Sequence, residues 1–331
     1  MEAKTSHQAA RYHQTGNPAE VIQVDSVPNA GPGAGQVALQ MLWAPVNPAD
    51  LNMIEGKYGE ARPLPDVPGN EGTGRVVAIG GGVTESWLGR TVLVDREAWR
   101  GEGNWGVRSL VPVPDALEPR QAAMLRVNPP TAWRMLHDFV DLQPGDWIAQ
   151  NAATSGVGRA VIQIAKARGW KTLNFVRRPE AADELGKLGA DAVVIDGPEV
   201  AAEAKAALGG ATPKLGLNAV GGASATRLAA LLAPGGTLVT YGAMSKEALK
   251  IPNGFLIFRD LQFRGFWLTR WLRGADEASR DKMFAEIFRM AGGGLFAPRV
   301  AGEFPLAQVK EALAMAAGGR GEGKVLLRLG A

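Results

Sequence analysis

The chain has 331 residues, of which 46% are hydrophobic and 21% are charged, and its formal net charge is +3. This composition excludes a disordered tail protein, and the length exceeds what one hydrophobic core usually reaches, so we expect two domains in a soluble protein. The absence of cysteine and the presence of only three histidines exclude disulfides and thiolate chemistry, and make a metal site or a Ser-His-Asp triad improbable. The basic residues form no dense run and no apolar stretch could span a membrane, so neither nucleic acid nor a membrane is an expected partner.

Residues 1–127 are interpreted as a β-rich domain, because short segments of alternating polarity are separated by Gly/Pro loops without βαβ spacing. Residues 1–16 lack the apolar core of a secretory signal, so we interpret them as a tail and expect a cytoplasmic location. A short helix is predicted after Pro48 and ends at Gly56. The predicted strands fall within residues 21–42, 63–80, 91–95 and 109–113.

Residues 146–178 read as strand, glycine turn, helix and strand in one unit, which is typical of a nucleotide-binding site. Gly156 and Gly158 lie where the chain must turn before an apolar helical period begins, and Gly169 ends that helix. A turn with little side chain lets a pyrophosphate approach the amides at the start of the helix, where the positive end of the macrodipole lies.

Two arginines, Arg177 and Arg178, directly follow the second strand of this unit. At this position an acidic residue binds the 2′-hydroxyl of the adenine ribose in NAD enzymes, whereas arginine suits the 2′-phosphate of NADP. The pair therefore predicts NADPH as the cofactor, although two arginines at the end of a strand could also form a solvated loop.

Strands and helices continue to alternate after Arg178, and about six parallel strands are predicted for a Rossmann domain over residues 128–270. The last of these strands is predicted at Leu261 to Leu268. Residues 271–331 supply two more helices and a final strand, and we expect them to return to the β-rich domain. The predicted fold class is therefore α/β, with a doubly wound parallel sheet of the Rossmann type and a β-rich, GroES-like catalytic domain.

The order of these pieces resembles the medium-chain dehydrogenase/reductase superfamily. Its zinc enzymes carry a cysteine where this chain has Asn47 and the triplet G-H-E where it has Gly69-Asn70-Glu71, so the resemblance is to a zinc-free branch, and no catalytic metal is expected. Several runs are similar to the mitochondrial-type trans-2-enoyl-CoA reductases, also called 2-enoyl thioester reductases. They are APVNPADLNMIEGKYG, PGNEG, RVNPPTAWRML, QNAATSGVG, VTYGAM and RDLQFRGFWL.

This resemblance implies a set of site residues. The proton-donating tyrosine of the family matches Tyr58, and Asn47 is a candidate for orienting it. Edge strands of the Rossmann domain commonly pair across a dimer in the superfamily, so a homodimer is expected. The implied NADPH contacts are Asn128, Thr154, Ser155, Gly156, Val157, Arg177, Arg178, Tyr241, Gly242, Ala243, Met244, Phe266, Trp267, Leu268 and Lys324.

The reaction implied by the resemblance is the reduction of a trans-2-enoyl thioester, carried on coenzyme A or acyl carrier protein, to the saturated acyl thioester. A neutral phenol can deliver a proton to the α-carbon, and Tyr58 is the candidate donor. Two alternatives stay open from the sequence. One is an NADPH:quinone oxidoreductase of the same zinc-free branch, and the other is a non-catalytic NADPH-binding protein.

Overall fold

The computed structural model describes residues 5–318 and 323–330. The chain divides into two compact units, one formed by Met1–Val127 with Phe284–Ala331 and the other by Asn128–Met283. The second unit thus extends beyond the predicted boundary at residue 270. Residues 1–4 of the predicted tail lie outside the described residues.

Within the described ranges the strands, in chain order, are β1 (Ser6–Tyr12), β2 (Ile22–Pro28), β3 (Gln36–Pro45), β4 (Gly72–Ile79), β5 (Thr91–Val94), β6 (Glu102–Gly106), β7 (Val111–Pro112), β8 (Trp147–Gln150), β9 (Lys171–Val176), β10 (Ala192–Ile195), β11 (Leu215–Asn218), β12 (Thr237–Thr240), β13 (Gln262–Gly265), β14 (Val300–Pro305) and β15 (Lys324–Arg328).

The α-helices described are α1 (Pro18–Val21), α2 (Pro48–Ile54), α3 (Pro119–Ala122), α4 (Asn128–Asp138), α5 (Gly156–Arg168), α6 (Ala181–Leu188), α7 (Val200–Leu208), α8 (Gly222–Ala230), α9 (Asn253–Ile257), α10 (Leu268–Gly274), α11 (Glu277–Gly292) and α12 (Val309–Ala317). Single 3-10 turns lie at Glu85–Trp87, Val107–Ser109 and Leu306–Gln308. None of the helices in the described part of the chain is both long and apolar enough to cross a bilayer.

The first unit is built on a mixed sheet in which the described strands follow the order β14-β15-β3-β4-β5-β7, with β6 also paired to β3. Strand β15 connects the C-terminal segment to the front sheet by pairing antiparallel with β3, so that Leu326 lies opposite Pro45. The core of this unit contains Leu39 and Trp99 from the front segment together with Leu313 and Leu327 from the C-terminal segment, all of them fully buried. The C-terminal residues therefore complete the core of the first unit.

The second unit contains a sheet whose described strands follow the order β10-β9-β8-β11-β12-β13, with every pairing parallel. Counted along the chain from β8, this is the 3-2-1-4-5-6 order of the dinucleotide-binding doubly wound fold. Leu173, Phe175 and Leu238 pack between the sheet and its helices and are almost completely buried. The structure confirms the predicted fold class of a Rossmann-type sheet combined with a β-rich domain.

Two local predictions are wrong. Residues 6–12, interpreted as part of a tail, form strand β1, which pairs antiparallel with β2 and buries Ala9 and Ala10 completely. The strand predicted to extend to Leu268 ends at Gly265, and Leu268 instead begins helix α10. The pattern of polar and apolar residues does not reveal where this strand ends, because the sequence after Gly265 stays apolar while the backbone changes from extended to helical.

Candidate active site

The turn between β8 and α5 has the geometry of a phosphate-binding turn. Ser155 is the N-cap of α5, and its hydroxyl accepts a hydrogen bond of 3.1 Å from the amide of Gly158. A Cβ added to Gly158 would lie 2.6 Å from the carbonyl oxygen of Ala153, so only glycine lets the helix begin this close to the turn. A Cβ on Gly156 would lie 3.0 Å from the side chain of Asn128, which places that predicted contact residue beside the turn.

Four of the predicted cofactor segments follow strands of the parallel sheet directly. Because parallel strands end at the same edge, the segments after β8, β9, β12 and β13 share the carboxyl edge of the sheet, where ligands of doubly wound folds bind. Met244 is 56% exposed at this edge, whereas Leu268 is buried. The residues brought to this edge are Thr154, Ser155, Gly156, Val157, Arg177, Arg178, Tyr241, Gly242, Ala243, Met244, Phe266, Trp267 and Leu268.

The backbone of the segment after β12 lies close against the end of β11. The amide of Tyr241 donates 3.0 Å to the carbonyl oxygen of Asn218, and the amide of Met244 donates 3.0 Å to that of Ala219. A Cβ on Gly242 would lie 2.9 Å from the Ala219 carbonyl oxygen, so this segment also depends on a glycine. The loop that carries Tyr241, Gly242, Ala243 and Met244 is therefore fixed by its main chain.

The hydroxyl of Tyr241 is buried, and the hydroxyl of Ser155 lies beside it. Burial raises the pKa of Tyr241, and the neighbouring Ser155 hydroxyl opposes that rise. The glycine turn at the start of α5 therefore fits a polar ligand such as a dinucleotide.

Arg177 and Arg178 lie directly after β9, and both are exposed to solvent. The following carboxylate, Glu180, is the N-cap of α6, and that helix presents Glu184 to Arg159 on α5 at 2.7 Å. The two guanidinium groups lie at the position where the fold places the adenine ribose, so they can pair with a phosphate there.

The first unit positions Asn47 at the start of helix α2. The main-chain amide of Asn47 donates a hydrogen bond of 2.8 Å to the carboxylate of Asp50 in the first turn of the helix. Pro48 occupies the first helical position, where its missing N–H costs nothing. Asp50 also accepts hydrogen bonds from the main-chain amide of Asn70 at 3.0 Å and from its side chain at 2.6 Å. The Asp50 side chain is completely buried, and burial raises its pKa to about 6 against the lowering effect of these hydrogen bonds.

The side chain of Asn47 links an acid and a base. Its Nδ2 donates 2.8 Å to Glu71, and its Oδ1 accepts a hydrogen bond from the ammonium of Lys324. Glu71 is fully buried and also accepts hydrogen bonds from the main-chain amides of Arg126 at 3.1 Å and Val127 at 2.9 Å. Burial raises the pKa of Glu71 while the charge of Lys324 lowers it, and burial lowers the pKa of Lys324 while Glu71 and Asp50 raise it.

Tyr58 lies in the bend that follows α2 and is half-buried. The other tyrosine of this unit, Tyr12, is 2% exposed in β1, and its hydroxyl donates a hydrogen bond of 2.8 Å to Asp66. Burial raises the pKa of Tyr12, and the Asp66 carboxylate raises it further. Tyr12 is thus committed to a structural hydrogen bond within the first unit.

The structure brings Asn47 and Lys324 into direct contact, which the sequence did not indicate. It also joins Asp50 and Glu71 to the same cluster. The signal for Asp50 was present as a proline and an acid in the first turn of a helix, which is a capping pattern. Among the described residues no three His, Asp or Glu side chains are grouped closely enough to hold a metal ion.

Comparison with known proteins agrees with both units. Residues 33–106 match the alcohol dehydrogenase GroES-like domain, and residues 156–284 match the zinc-binding dehydrogenase domain. The sequence is 42% identical over 321 residues to the mitochondrial enoyl-[acyl-carrier-protein] reductase of Rattus norvegicus. The aligned region covers 94% of this chain and 86% of the rat protein.

Solved structures show the same likeness. The Etr1p complex with NADP and crotonyl-CoA superposes with a TM-score of 0.87 at 28% identity, covering 98% of this chain and 99% of that chain. The Etr1p/Etr2p heterodimer of mitochondrial 2-enoyl thioester reductase from Candida tropicalis gives a TM-score of 0.86 at 27% identity over the same shares. A Bacillus thuringiensis protein assigned as an NADPH:quinone reductase gives a TM-score of 0.92 at 26% identity, again covering 98% of this chain and 99% of that one.

The folds of the two units and their sequence matches define a medium-chain dehydrogenase/reductase of the zinc-free branch. Within that class, the 42% identity along most of both chains shows that this protein belongs to the mitochondrial-type enoyl-[acyl-carrier-protein] reductases, the 2-enoyl thioester reductases. The expected cytoplasmic location is contradicted, because the relatives from rat, cattle and human are named as mitochondrial proteins. The lack of an apolar signal in residues 1–16 was insufficient ground for a cytoplasmic location.

Proposed function

We propose that this protein reduces trans-2-enoyl thioesters with NADPH, and that Tyr58 supplies the proton. The observation that carries the proposal is the position of Tyr58. It is half-buried in the bend after α2 of the first unit, with solvent-exposed residues on either side of it. Sequence identity of 42% to an enoyl-[acyl-carrier-protein] reductase supports the same chemistry.

NADPH fits the carboxyl edge of the parallel sheet. The cradle at Gly156 and Gly158 leaves room that a Cβ would fill, and the amides at the start of α5 suit a pyrophosphate. Arg177 and Arg178 supply charge for a 2′-phosphate. We propose that the cofactor is held by Asn128, Thr154, Ser155, Gly156, Val157, Arg177, Arg178, Tyr241, Gly242, Ala243, Met244, Phe266, Trp267, Leu268 and Lys324.

When bound, NADPH supplies the hydride that adds to the electron-poor β-carbon of the enoyl thioester. Negative charge then develops on the thioester oxygen, and the α-carbon must gain a proton. A phenol, which titrates near pH 10, is neutral at physiological pH and can deliver that proton as a general acid. Tyr58 then recovers its proton from solvent, to which its bend is open.

Asn47 acts in this proposal as a positioning residue. Its side-chain amide is hydrogen-bonded to Glu71 on one side and to Lys324 on the other, and these two bonds favour a single side-chain orientation. Because Asn47 also begins α2, the same contacts fix the helix whose end leads into the bend with Tyr58. We propose that this cluster sets the place of the proton donor and keeps the Lys324 ammonium charged.

The proposed substrate carrier is coenzyme A or acyl carrier protein, and the proposed assembly is a homodimer. Strand β13 has a paired neighbour on one side only among the described strands, so its other edge can pair with a second copy. Shortly before it in the chain, Ile257 and Phe258 are 70% and 83% exposed, which is unusual for large apolar side chains unless they are covered in an assembly. Sedimentation of the purified protein should give the mass of two chains.

A quinone reductase is the second candidate, and the structural match to the Bacillus thuringiensis protein supports it. The test is turnover of crotonyl-CoA and of a benzoquinone by the purified protein with NADPH in deuterated water. The proposal expects butyryl-CoA with solvent deuterium at the α-carbon. Rapid oxidation of NADPH by the quinone without turnover of crotonyl-CoA would contradict the proposal and favour the quinone reductase.

A further inference from the structure

The segment that carries Tyr58 is an exposed loop held by main-chain hydrogen bonds at both ends. At its start the amide of Lys57 donates 2.8 Å to the carbonyl oxygen of Asn52 in α2. At its end Asp66 exchanges two main-chain hydrogen bonds, of 3.1 and 3.2 Å, with Tyr12 of β1. Between these points most residues face solvent, and Leu64 is 44% exposed.

Arg62 departs from this pattern, because its side chain is only 26% exposed and turns back toward the body of the unit. One guanidinium nitrogen donates 3.3 Å to Oδ1 of Asn70, and another lies 3.8 Å from the carboxylate of Asp66. Asp66 in turn accepts the hydroxyl of Tyr12 at 2.8 Å. A single side chain thus connects the middle of the loop to two anchored residues.

The contact with Asn70 leads into the buried cluster. The amide of Asn70 accepts from the Arg62 cation through Oδ1 and donates to the buried Asp50 carboxylate through Nδ2, so each end of the amide faces the charge that suits it. Asp50 also accepts from the main chain of Asn47. The loop is therefore connected through Arg62 to the helix start that the proposed function uses.

We propose that Arg62 is a positioning residue for proton transfer, which holds the Tyr58 loop at a fixed distance from the Asn70–Asp50 pair. The inference rests on the proposed role of Tyr58. Loss of the guanidinium would remove the side-chain link from the middle of the loop to Asn70 and Asp66, so the loop and its phenol would be held less firmly. A displacement of about 1 Å at a reacting group can cost roughly 100-fold in rate, so we expect kcat to fall about 10- to 100-fold.

Arginine suits this role better than lysine, because its planar fork reaches two partners at once, whereas an ammonium is a single point of charge. Arg62→Lys should therefore recover only part of the kcat lost in Arg62→Ala. KM for NADPH should stay within about twofold of wild type in both variants, since the cofactor is held elsewhere. Arg90→Ala is the matched control, because Arg90 also fastens a surface loop of the same unit, by donating 2.6 Å to the carbonyl oxygen of Ser86.

The experiment is a double-mutant cycle of Arg62→Ala and Tyr58→Phe, read as kcat on crotonyl-CoA with thermal midpoints measured alongside. If Arg62 acts through Tyr58, Arg62→Ala should lower kcat in the wild-type background and change it less than about twofold when Tyr58→Phe is already present. Should Arg62→Ala fail to fold, the same cycle is run with Arg62→Lys.

Two results would overturn the inference, and they are distinguishable. If Tyr58→Phe is impaired and Arg62→Ala lowers kcat equally in both backgrounds, Arg62 acts independently of Tyr58, while the role of Tyr58 stands. If Tyr58→Phe keeps the wild-type rate, the proposed proton donor is wrong, and Arg62 has no donor to position. A loss of kcat in Arg90→Ala as large as in Arg62→Ala would also count against the inference.

Discussion

Nδ2 of Asn47 donates a hydrogen bond of 2.8 Å to Oε1 of the buried Glu71. The other end of the same amide accepts from Lys324, so that one asparagine lies between an acid and a base. In a zinc enzyme of the superfamily, the position of Asn47 belongs to a metal ligand. Here hydrogen bonds and a lysine charge stabilise the carboxylates of this region.

The first prediction is that Glu71 and Lys324 are energetically coupled. Lys324→Met leaves the carboxylates without the nearby cation, and Glu71→Gln leaves the cation without its acid. Each should lower the free energy of unfolding by about 1–3 kcal/mol, below the cost of breaking a fully buried pair because Lys324 is half-buried. In urea unfolding, the double variant should lose about 1 kcal/mol less free energy of unfolding than the two single variants lose together. Losses that add exactly would contradict the coupling.

The second prediction concerns pH. Burial raises the pKa of Asp50 to about 6, so the folded state keeps the proton up to that pH, whereas the unfolded chain releases it near pH 4. The contribution of Asp50 to stability is therefore fully present below about pH 4 and is lost as the pH rises to about 6, by on the order of 3 kcal/mol.

Asp50→Asn does not titrate, and the comparison isolates this group from the others. The stability of wild type relative to Asp50→Asn should be greatest at low pH and should decline between about pH 4 and 6. Urea unfolding at several pH values measures this difference. A difference that stays constant over the window would show that Asp50 has an ordinary pKa.

The third prediction concerns the glycine turn. Gly158→Ala places a Cβ 2.6 Å from a main-chain oxygen, so the backbone must shift, and both stability and NADPH affinity should fall. Gly186→Ala is the matched control, because Gly186 lies in helix α6 with no atom within 4 Å of its added Cβ. That variant should gain about 0.5–1 kcal/mol from helix propensity. Equal behaviour of the two variants in thermal unfolding and NADPH titration would refute this account of the turn.

The fourth prediction is that Arg177 and Arg178 select NADPH over NADH. A charge-assisted hydrogen bond contributes about 1.5–3 kcal/mol, so loss of one arginine should weaken NADPH binding roughly 10- to 150-fold and barely alter NADH binding. Arg159→Ala is a suitable control, since Arg159 pairs with Glu184 on neighbouring helices. Fluorescence titrations in which the NADPH/NADH ratio is unchanged by Arg177→Ala and Arg178→Ala would remove the basis for the preference.

The nucleotide turn could be predicted from sequence because its determinants are local. Gly156, Gly158 and Gly169 mark a turn and a helix end by their spacing, and the arginine pair follows the next strand directly. Strand β1 was missed because its buried residues include Ala9 and Ala10, which have little strand preference. Its pairing with β2 comes from tertiary contact.

The cluster around Asn47 could not be predicted in the same way. Lys324 lies 277 positions after Asn47 in the chain, and the contact between the two residues depends on the pairing of β15 with β3. Arg62 gave no signal either, because an arginine in a Pro/Gly loop normally has a solvated side chain. These contacts depend on the fold of the first unit, which no local pattern encodes.

Replacement of Tyr58 by phenylalanine tests the central claim most directly. Tyr58→Phe removes one oxygen, so the fold and NADPH affinity should persist. A positioned general acid contributes about 10²–10⁴-fold, so kcat for reduction of crotonyl-CoA should fall by that order, while any quinone reduction stays nearly unchanged. If the variant reduces crotonyl-CoA at close to the wild-type rate, Tyr58 is a loop tyrosine without a catalytic role, and the mechanism proposed for this enzyme is wrong.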